Sequence, residues 1–219
     1  MALELWAGEK AKIKVKVKNT GAVSRSFKVE CDVITEAREM ALETQYTPTL
    51  RPGETATVSW EWQSERGDGW VDLKARVRDR LTGRTLDTER KDDAIFVKYV
   101  DAEIVECTYA TLKHLCNWDS YAYAEIKNTG NVRQTFYVYF LGKDPASYDY
   151  NHAVERSITL NPGEKGRVDF LVWECIVCQQ SHCYDMLGDW EIKIVVSTAK
   201  SWEYGVVASY EGSPCTVIE

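Results

Sequence analysis

The chain has 219 residues, 44% of them hydrophobic and 28% charged, with a net charge of −7. That suffices for one large domain or two of ordinary size, each with a core. Residues 100–219 carry 9 Lys/Arg against 17 Asp/Glu, whereas residues 1–99 carry 18 against 17, so no nucleic-acid partner is expected. No run of about 18 apolar residues exists, so no transmembrane segment is expected. Met1-Ala2-Leu3-Glu4-Leu5-Trp6 shows no signal peptide, because no basic segment precedes an apolar one.

Leu3 and Leu5 suggest a short first strand, turned by Ala7-Gly8-Glu9-Lys10. Lys12-Ile13-Lys14-Val15-Lys16-Val17-Lys18 then alternates strictly, which predicts a strand with one face in a core and one in water. Asn19-Thr20-Gly21 should end it in a tight turn, since Asn and Gly accept a positive φ. Phe27, Val29, Cys31 and Val33 alternate again, against Lys28, Glu30 and Asp32. Residues 35–46 fit either a helical turn or a polar edge strand. Arg51-Pro52-Gly53-Glu54 reads as a turn, and Val58, Trp60 and Trp62 as the inward side of the next strand. Gly67-Asp68-Gly69 turns into Val71, Leu73, Ala75 and Val77, and a loop at Thr82-Gly83 leads to a last strand over Ala94–Val97.

The second half follows the same script. Lys127-Asn128-Thr129-Gly130 repeats Lys18-Asn19-Thr20-Gly21, and Thr159-Leu160-Asn161-Pro162-Gly163-Glu164 repeats Thr49-Leu50-Arg51-Pro52-Gly53-Glu54. Asn19 lies 33 residues before Pro52, and Asn128 lies 34 before Pro162. Shared order and spacing imply a tandem repeat, with domains at 1–99 and 100–219. In the second, Ala102–Glu106 is the first strand, Ala122, Ala124 and Ile126 the next inward set, then Phe136, Val138 and Phe140, Val168, Phe170 and Val172, and Trp190 to Val196, with Cys215–Ile218 closing it. Short alternating strands without a convincing long helix predict an all-β chain of two tandem immunoglobulin-like antiparallel β-sandwiches.

An alternating strand, Lys-Asn-Thr-Gly, a second strand, then Thr-Leu-x-Pro-Gly-Glu before a Val-x-aromatic strand resembles the CARDB-type immunoglobulin-like domains, in both copies. The resemblance implies a module of bacterial or archaeal surface proteins, or of a virion, that binds, spaces or assembles. It implies no shared active site. Lys/Glu-rich strands in the first half would also suit a thermophile.

The second copy departs from the first in two ways. Of seven cysteines, six fall there. Cys107 and Cys116, with His114, lie between its first two strands, and Cys175, Cys178 and Cys183, with His182, follow its Pro-Gly-Glu strand. Strand direction puts both connections at one end, with Cys215 toward the other. Three readings stand: disulfides stapling long loops, contributing about 2–4 kcal/mol; a structural zinc site built on Cys175-x-x-Cys178; or free thiols. Disulfides would place the protein at an extracellular surface or on a virion, although without a visible signal peptide a cytoplasmic location stands beside that. Cys31 occupies a core slot and is expected to be a buried thiol.

The other departure is aromatic. Where the first copy has outward Lys28, Glu30 and Asp32, the second has Tyr137, Tyr139 and Leu141, with Tyr121, Tyr123, Leu171 and Trp173 on the other sheet. Such a face is either a cross-strand cluster covered by the loops or a contact surface for a protein partner or self-assembly. Aromatic platforms also suit glycans. No catalytic residues are assigned, because nucleophile-elbow, phosphate-loop and zinc-protease motifs are all missing from the sequence. Asp68 and Asp189 read as turn caps. The expectation is a non-enzymatic structural or binding module without a cofactor, zinc excepted.

Overall fold

The computed structural model describes residues 2–109, 121–143, 148–150, 152–171, 188–212 and 215–217. The chain divides into two compact units, Met1–Tyr99 and Val100–Glu219. Among the described residues there is no helix, and neighbouring strands are antiparallel with one exception.

The first unit runs β1 (Leu3–Trp6), β2 (Lys10–Lys18), β3 (Phe27–Thr35), β4 (Glu39–Ala41), β5 (Gln45–Tyr46), β6 (Thr55–Gln63), β7 (Trp70–Asp79) and β8 (Thr85–Lys98). One sheet has the order β1-β8-β7-β3-β4, with β5 also on β3; the other is only β2-β6. The alternation in β2 does what its pattern requires: Ala11, Ile13 and Val17 are buried while every lysine from Lys10 to Lys18 is exposed. Facing them across the core lie Val29, Cys31, Val33 and Val71, closed by Trp60 and Trp62 of β6. Residues 35–46 take the edge-strand alternative, as β4 and β5. The last strand begins at Thr85, well before the expected Ala94, and its first nine residues are exposed on both faces. No apolar pattern marks that stretch, because nothing in the two-stranded sheet reaches across to cover it. β1 is the parallel exception, pairing Leu3–Trp6 with Ile95–Lys98 of β8.

The second unit runs β9 (Ala102–Tyr109), β10 (Tyr121–Asn128), β11 (Gln134–Lys143), β12 (His152–Leu160), β13 (Lys165–Leu171), β14 (Gly188–Ser197), β15 (Val206–Glu211) and β16 (Cys215–Val217). Its sheets are β13-β10-β9 and β12-β11-β14-β15, with β16 on the start of β14. Phe136, Phe140, Phe170, Ile126 and Ile194 are buried between them. Here the first strand joins β10 rather than the last strand.

The repeated motifs build the same joint in each unit. Asn19 is buried; its amide donates to Val23 O and Leu50 O, and its Oδ1 accepts from Gly21 N. Asn128 makes the same three bonds, to Val132 O, Leu160 O and Gly130 N. The backbone bonds Asn19 N to Glu54 O and Gly53 N to Asn19 O recur as Asn128 N to Glu164 O and Gly163 N to Asn128 O. The Asn is therefore a strut between strands, not the positive-φ turn residue its sequence context suggests. Positive φ falls on Gly53 and Gly163 instead, where Pro-Gly turns demand it.

Candidate functional site

The outward side of β11 and β14 carries the aromatic residues that set the second unit apart. Tyr137, Tyr139 and Leu141 oppose Ser197, Val195 and Lys193 on β14. This is not an open face. Tyr139, Leu141 and Val195 are each 2% exposed and form a small second cluster, with Tyr137 and Tyr150 packed half-buried against it. The expectation that Tyr139 and Leu141 are exposed contact residues is thereby corrected. Side chains from the chain's own connections cover them: Trp202 meets Tyr139 edge-on at 5.7 Å between ring centroids, and Tyr150 lies under Lys193.

The cover is itself the more telling feature. Trp202 is 41% and Tyr204 71% exposed, both on the connection between β14 and β15. That connection is tied tightly. Ser197 Oγ donates to Tyr204 O and accepts from Ala199 N, Thr198 N donates to Gly205 O, and Ser201 Oγ accepts from Glu203 N. Gly205 has a φ of +67°, and a Cβ there would stand 2.9 Å from Thr198 Oγ, so only glycine closes the hairpin. The result is an indole and a phenol held in water on a braced hairpin, backed by an apolar cluster. Beside them Lys200 pairs with Glu155 at 3.6 Å. The Tyr139 hydroxyl is buried without a hydrogen-bond partner among the described residues. Burial first, and then the Glu155 carboxylate, push its phenol up to about 12.

On the other sheet, Tyr123 is half-buried rather than open. Its hydroxyl donates to Glu106 at 2.7 Å, and the Arg167 guanidinium lies 3.7 Å over its ring. Glu106 pushes this phenol upward by that hydrogen bond, with burial adding to the effect. Tyr121 and Leu171 are backbone register partners in β10 and β13, and Trp173 lies outside the described residues.

Cys107 is a strand residue, opposite Ala124 in β9, with a free, half-buried thiol packed against the core. Burial raises its pKa, so it is a poor nucleophile. His114, Cys116, Cys175, Cys178, His182 and Cys183 lie outside the described residues. The strand ends that bear their connections are neighbours, with Tyr109 opposite Ala122 and Leu171 opposite Tyr121. Cys215 does not sit toward the other end as expected. It opposes Trp190, three residues into β14, because Val206–Glu211 supplies most of the last strand and β16 continues it to the connection end. Among the described residues no three His, Cys, Asp or Glu side chains converge as a metal site. Asp68 caps its turn as expected, accepting from Glu65 N, whereas Asp189 lies in β14 opposite Thr216.

Sequence reasoning missed Trp202 and Tyr204. The signal was available: Ser201-Trp202-Glu203-Tyr204-Gly205 is a turn carrying two large aromatic rings, between two alternating stretches.

Among solved structures, the chain is similar to red sea bream transglutaminase (11% identity, TM-score 0.34, covering 100% of this chain and 30% of that one). It is also similar to a GH3 β-glucosidase of Bifidobacterium adolescentis (21%, TM-score 0.34, 56% and 19%). A DUF4785 family protein of Legionella pneumophila matches at 13% identity and TM-score 0.33, over 98% of this chain and 55% of that one. The chain spans 30%, 19% and 55% of the length of these three, and no curated protein matches it. Residues 1–80 match the CARDB family, a family of immunoglobulin-like β-sandwiches that occur in surface and extracellular proteins. The match lies wholly within the first unit and covers β1 to β7.

Proposed function

We propose that the protein is a non-enzymatic binding module of a surface or virion assembly, working by protein–protein contact through its second unit, with Trp202 and Tyr204 as anchors. One observation carries this: two large aromatic side chains are held in water on a hairpin braced by its own hydrogen bonds. Trp and Tyr are the residues most enriched where interfaces concentrate their energy. A pre-ordered hairpin also loses little entropy on docking. The proposed partner is another copy of the chain or a second surface protein. The same rings would also suit sugar stacking, with the Lys200–Glu155 pair at hand for hydroxyls. That is the alternative.

The test is light scattering with size-exclusion chromatography on the full chain and on Trp202→Ser/Tyr204→Ser, with a glycan array beside it. Concentration-dependent association that the double variant loses, at an unchanged melting temperature, supports the contact reading. Monomers that bind an array glycan through Trp202 would replace it with the sugar reading. Association that the double variant retains contradicts both.

Cys116, Cys175, Cys178 and Cys183 belong to the same proposal, as disulfide staples or as zinc ligands of the connections at one end. Thiol titration with and without reductant, together with elemental zinc, separates these from free thiols. The expected result is fewer than seven titratable thiols in the unreduced, unfolded chain.

A further inference from the structure

Matched strand by strand through their pairings, the described residues fill one position in the second unit that they leave open in the first. In the second unit β9 lies along the outer edge of β10, with Ala102 opposite Asn128 and Ile104 opposite Ile126. Both side chains pack into the core. Asn19 and Val17 hold the corresponding places on β2 in the first unit, as the shared Asn joint shows. Among the described residues no strand lies beside them there: β1 is committed to β8, and β2 pairs with β6.

Three further observations mark this edge as a docking place. A groove of about 580 Å³ opens at the Lys16–Lys18 end of this edge, bounded by the turn from Asn19 to Arg25, by Phe27 and Val77, and by Leu86 and Asp87 of β8. Leu86 and Asp87, which reach the groove, belong to Thr85–Asp93, the stretch of β8 exposed on both faces, as expected when the strand that would cover it is missing. Backbone polarity also fits. Ser64 N donates to Glu9 O and Asn19 N to Glu54 O, so odd-numbered residues of β2 bond to β6. The N–H and C=O groups of Lys10, Lys12, Lys14, Lys16 and Lys18 are therefore turned to the open edge.

Those lysines also select the occupant. They stand about 7 Å apart in one row, and among the described residues only Lys10 has a carboxylate in reach, Glu61 at 3.7 Å. A like-charged row repels a second lysine edge, which protects the strand from pairing with itself. The filled unit shows the complementary pattern, with inward Ala102 and Ile104 and outward Glu103 directly opposite Lys127, the counterpart of Lys18.

We propose that the groove between β2 and β8 is a strand-acceptor site for an extended segment of a partner protein. The segment would pair antiparallel to β2, with alternate apolar residues turned into the groove and acidic residues turned to the lysine row. This is β-augmentation, in which main-chain bonds supply affinity and the alternating side chains supply specificity. It is independent of the contact assigned to Trp202 and Tyr204.

The experiment uses the full chain and a synthetic peptide, Ala-Glu-Ile-Val-Glu-Ser-Thr-Tyr, which is β9 with serine in place of Cys107, against the same peptide with both glutamates changed to lysine. Amide hydrogen exchange is followed residue by residue. The site predicts slowed exchange at Lys14, Lys16 and Lys18 with the acidic peptide only, and binding at least about tenfold weaker for the lysine peptide. Lys14→Glu/Lys16→Glu/Lys18→Glu should reverse that preference. Lys16→Pro, which removes only an edge-facing N–H, should abolish binding and leave the melting transition in place. Protection elsewhere, equal binding of the two peptides, no protection at millimolar peptide, or a groove already closed by a second copy of the chain would each overturn the proposal.

Discussion

Asn19 and Asn128 show how a single side chain can hold a joint. Each amide donates once to a carbonyl four residues on and once to a carbonyl about thirty residues away, and accepts from the backbone two residues on. Removing it leaves the glycine N–H two residues on without its acceptor and takes a donor from each of two carbonyls, at about 1–3 kcal/mol for a group left unsatisfied. Asn128→Ala should therefore destabilise by about 2–4 kcal/mol in chemical denaturation, and Asn128→Asp at least as much, since it keeps the acceptor but loses both donations. Sequence showed the Asn-Thr-Gly repeat but not its reason. A short Asn-Gly segment ordinarily signals a turn, and only the three-dimensional neighbours reveal a strut. Tyr139 is the opposite case, a buried hydroxyl beside the Glu155 carboxylate with no hydrogen bond of good geometry among the described residues. Its pKa, pushed up to about 12 by burial and by Glu155, exceeds the phenol's ordinary value near 10, so the fold favours the neutral ring. That contribution is fully present below about pH 10 and is lost as pH rises through about 12. Tyr139→Phe should melt no lower than the parent at pH 7 and higher at pH 11.5. A lower melting temperature at pH 7 would show that the hydroxyl has a partner after all.

Among elements, the outer face of the six-stranded sheet in the first unit is a lattice of charge. Glu30 pairs with Lys28 at 2.7 Å and with Arg78 at 2.8 Å, and Asp32 with Arg76 at 2.6 Å. The Lys28 hydrogen bond, joined by Arg78, holds the Glu30 carboxyl below its ordinary value despite some burial. A depressed carboxyl contributes stability that is present above its unfolded pKa and lost as pH falls through the folded one. Glu30→Gln should accordingly be less stable than the parent at pH 7 and converge with it in urea titrations as pH falls through the depressed folded value. The core strands were legible from alternation because a two-sided sandwich imposes a period of two. The first strands were not: Leu3–Trp6 and Ala102–Tyr109 look alike as short apolar stretches, yet one joins the last strand in parallel and the other the second strand antiparallel. The apolar count of a short edge strand does not say which sheet it joins. Thr85–Asp93 was missed because it is an uncovered edge with no buried face to leave a pattern.

At the scale of the molecule, the two units each have a core of their own. Residues 1–99 expressed alone should fold with a single cooperative transition, and Cys31 in that fragment should resist thiol reagents until it unfolds, since burial pushes its thiol up to about 11. A fragment without near-ultraviolet circular dichroism would show that the first unit depends on the second. The residues common to both halves, the Asn joint and the Pro-Gly turn, build the sandwich. Contact is assigned to what differs, the braced aromatic hairpin of the second unit. Amide hydrogen exchange of the full chain, dilute and concentrated, tests that division most directly. New protection confined to residues 198–205 and the neighbouring ends of β14 and β15 is the predicted result. Protection centred on the Asn-Thr-Gly and Pro-Gly-Glu segments, with the hairpin unchanged, would contradict it.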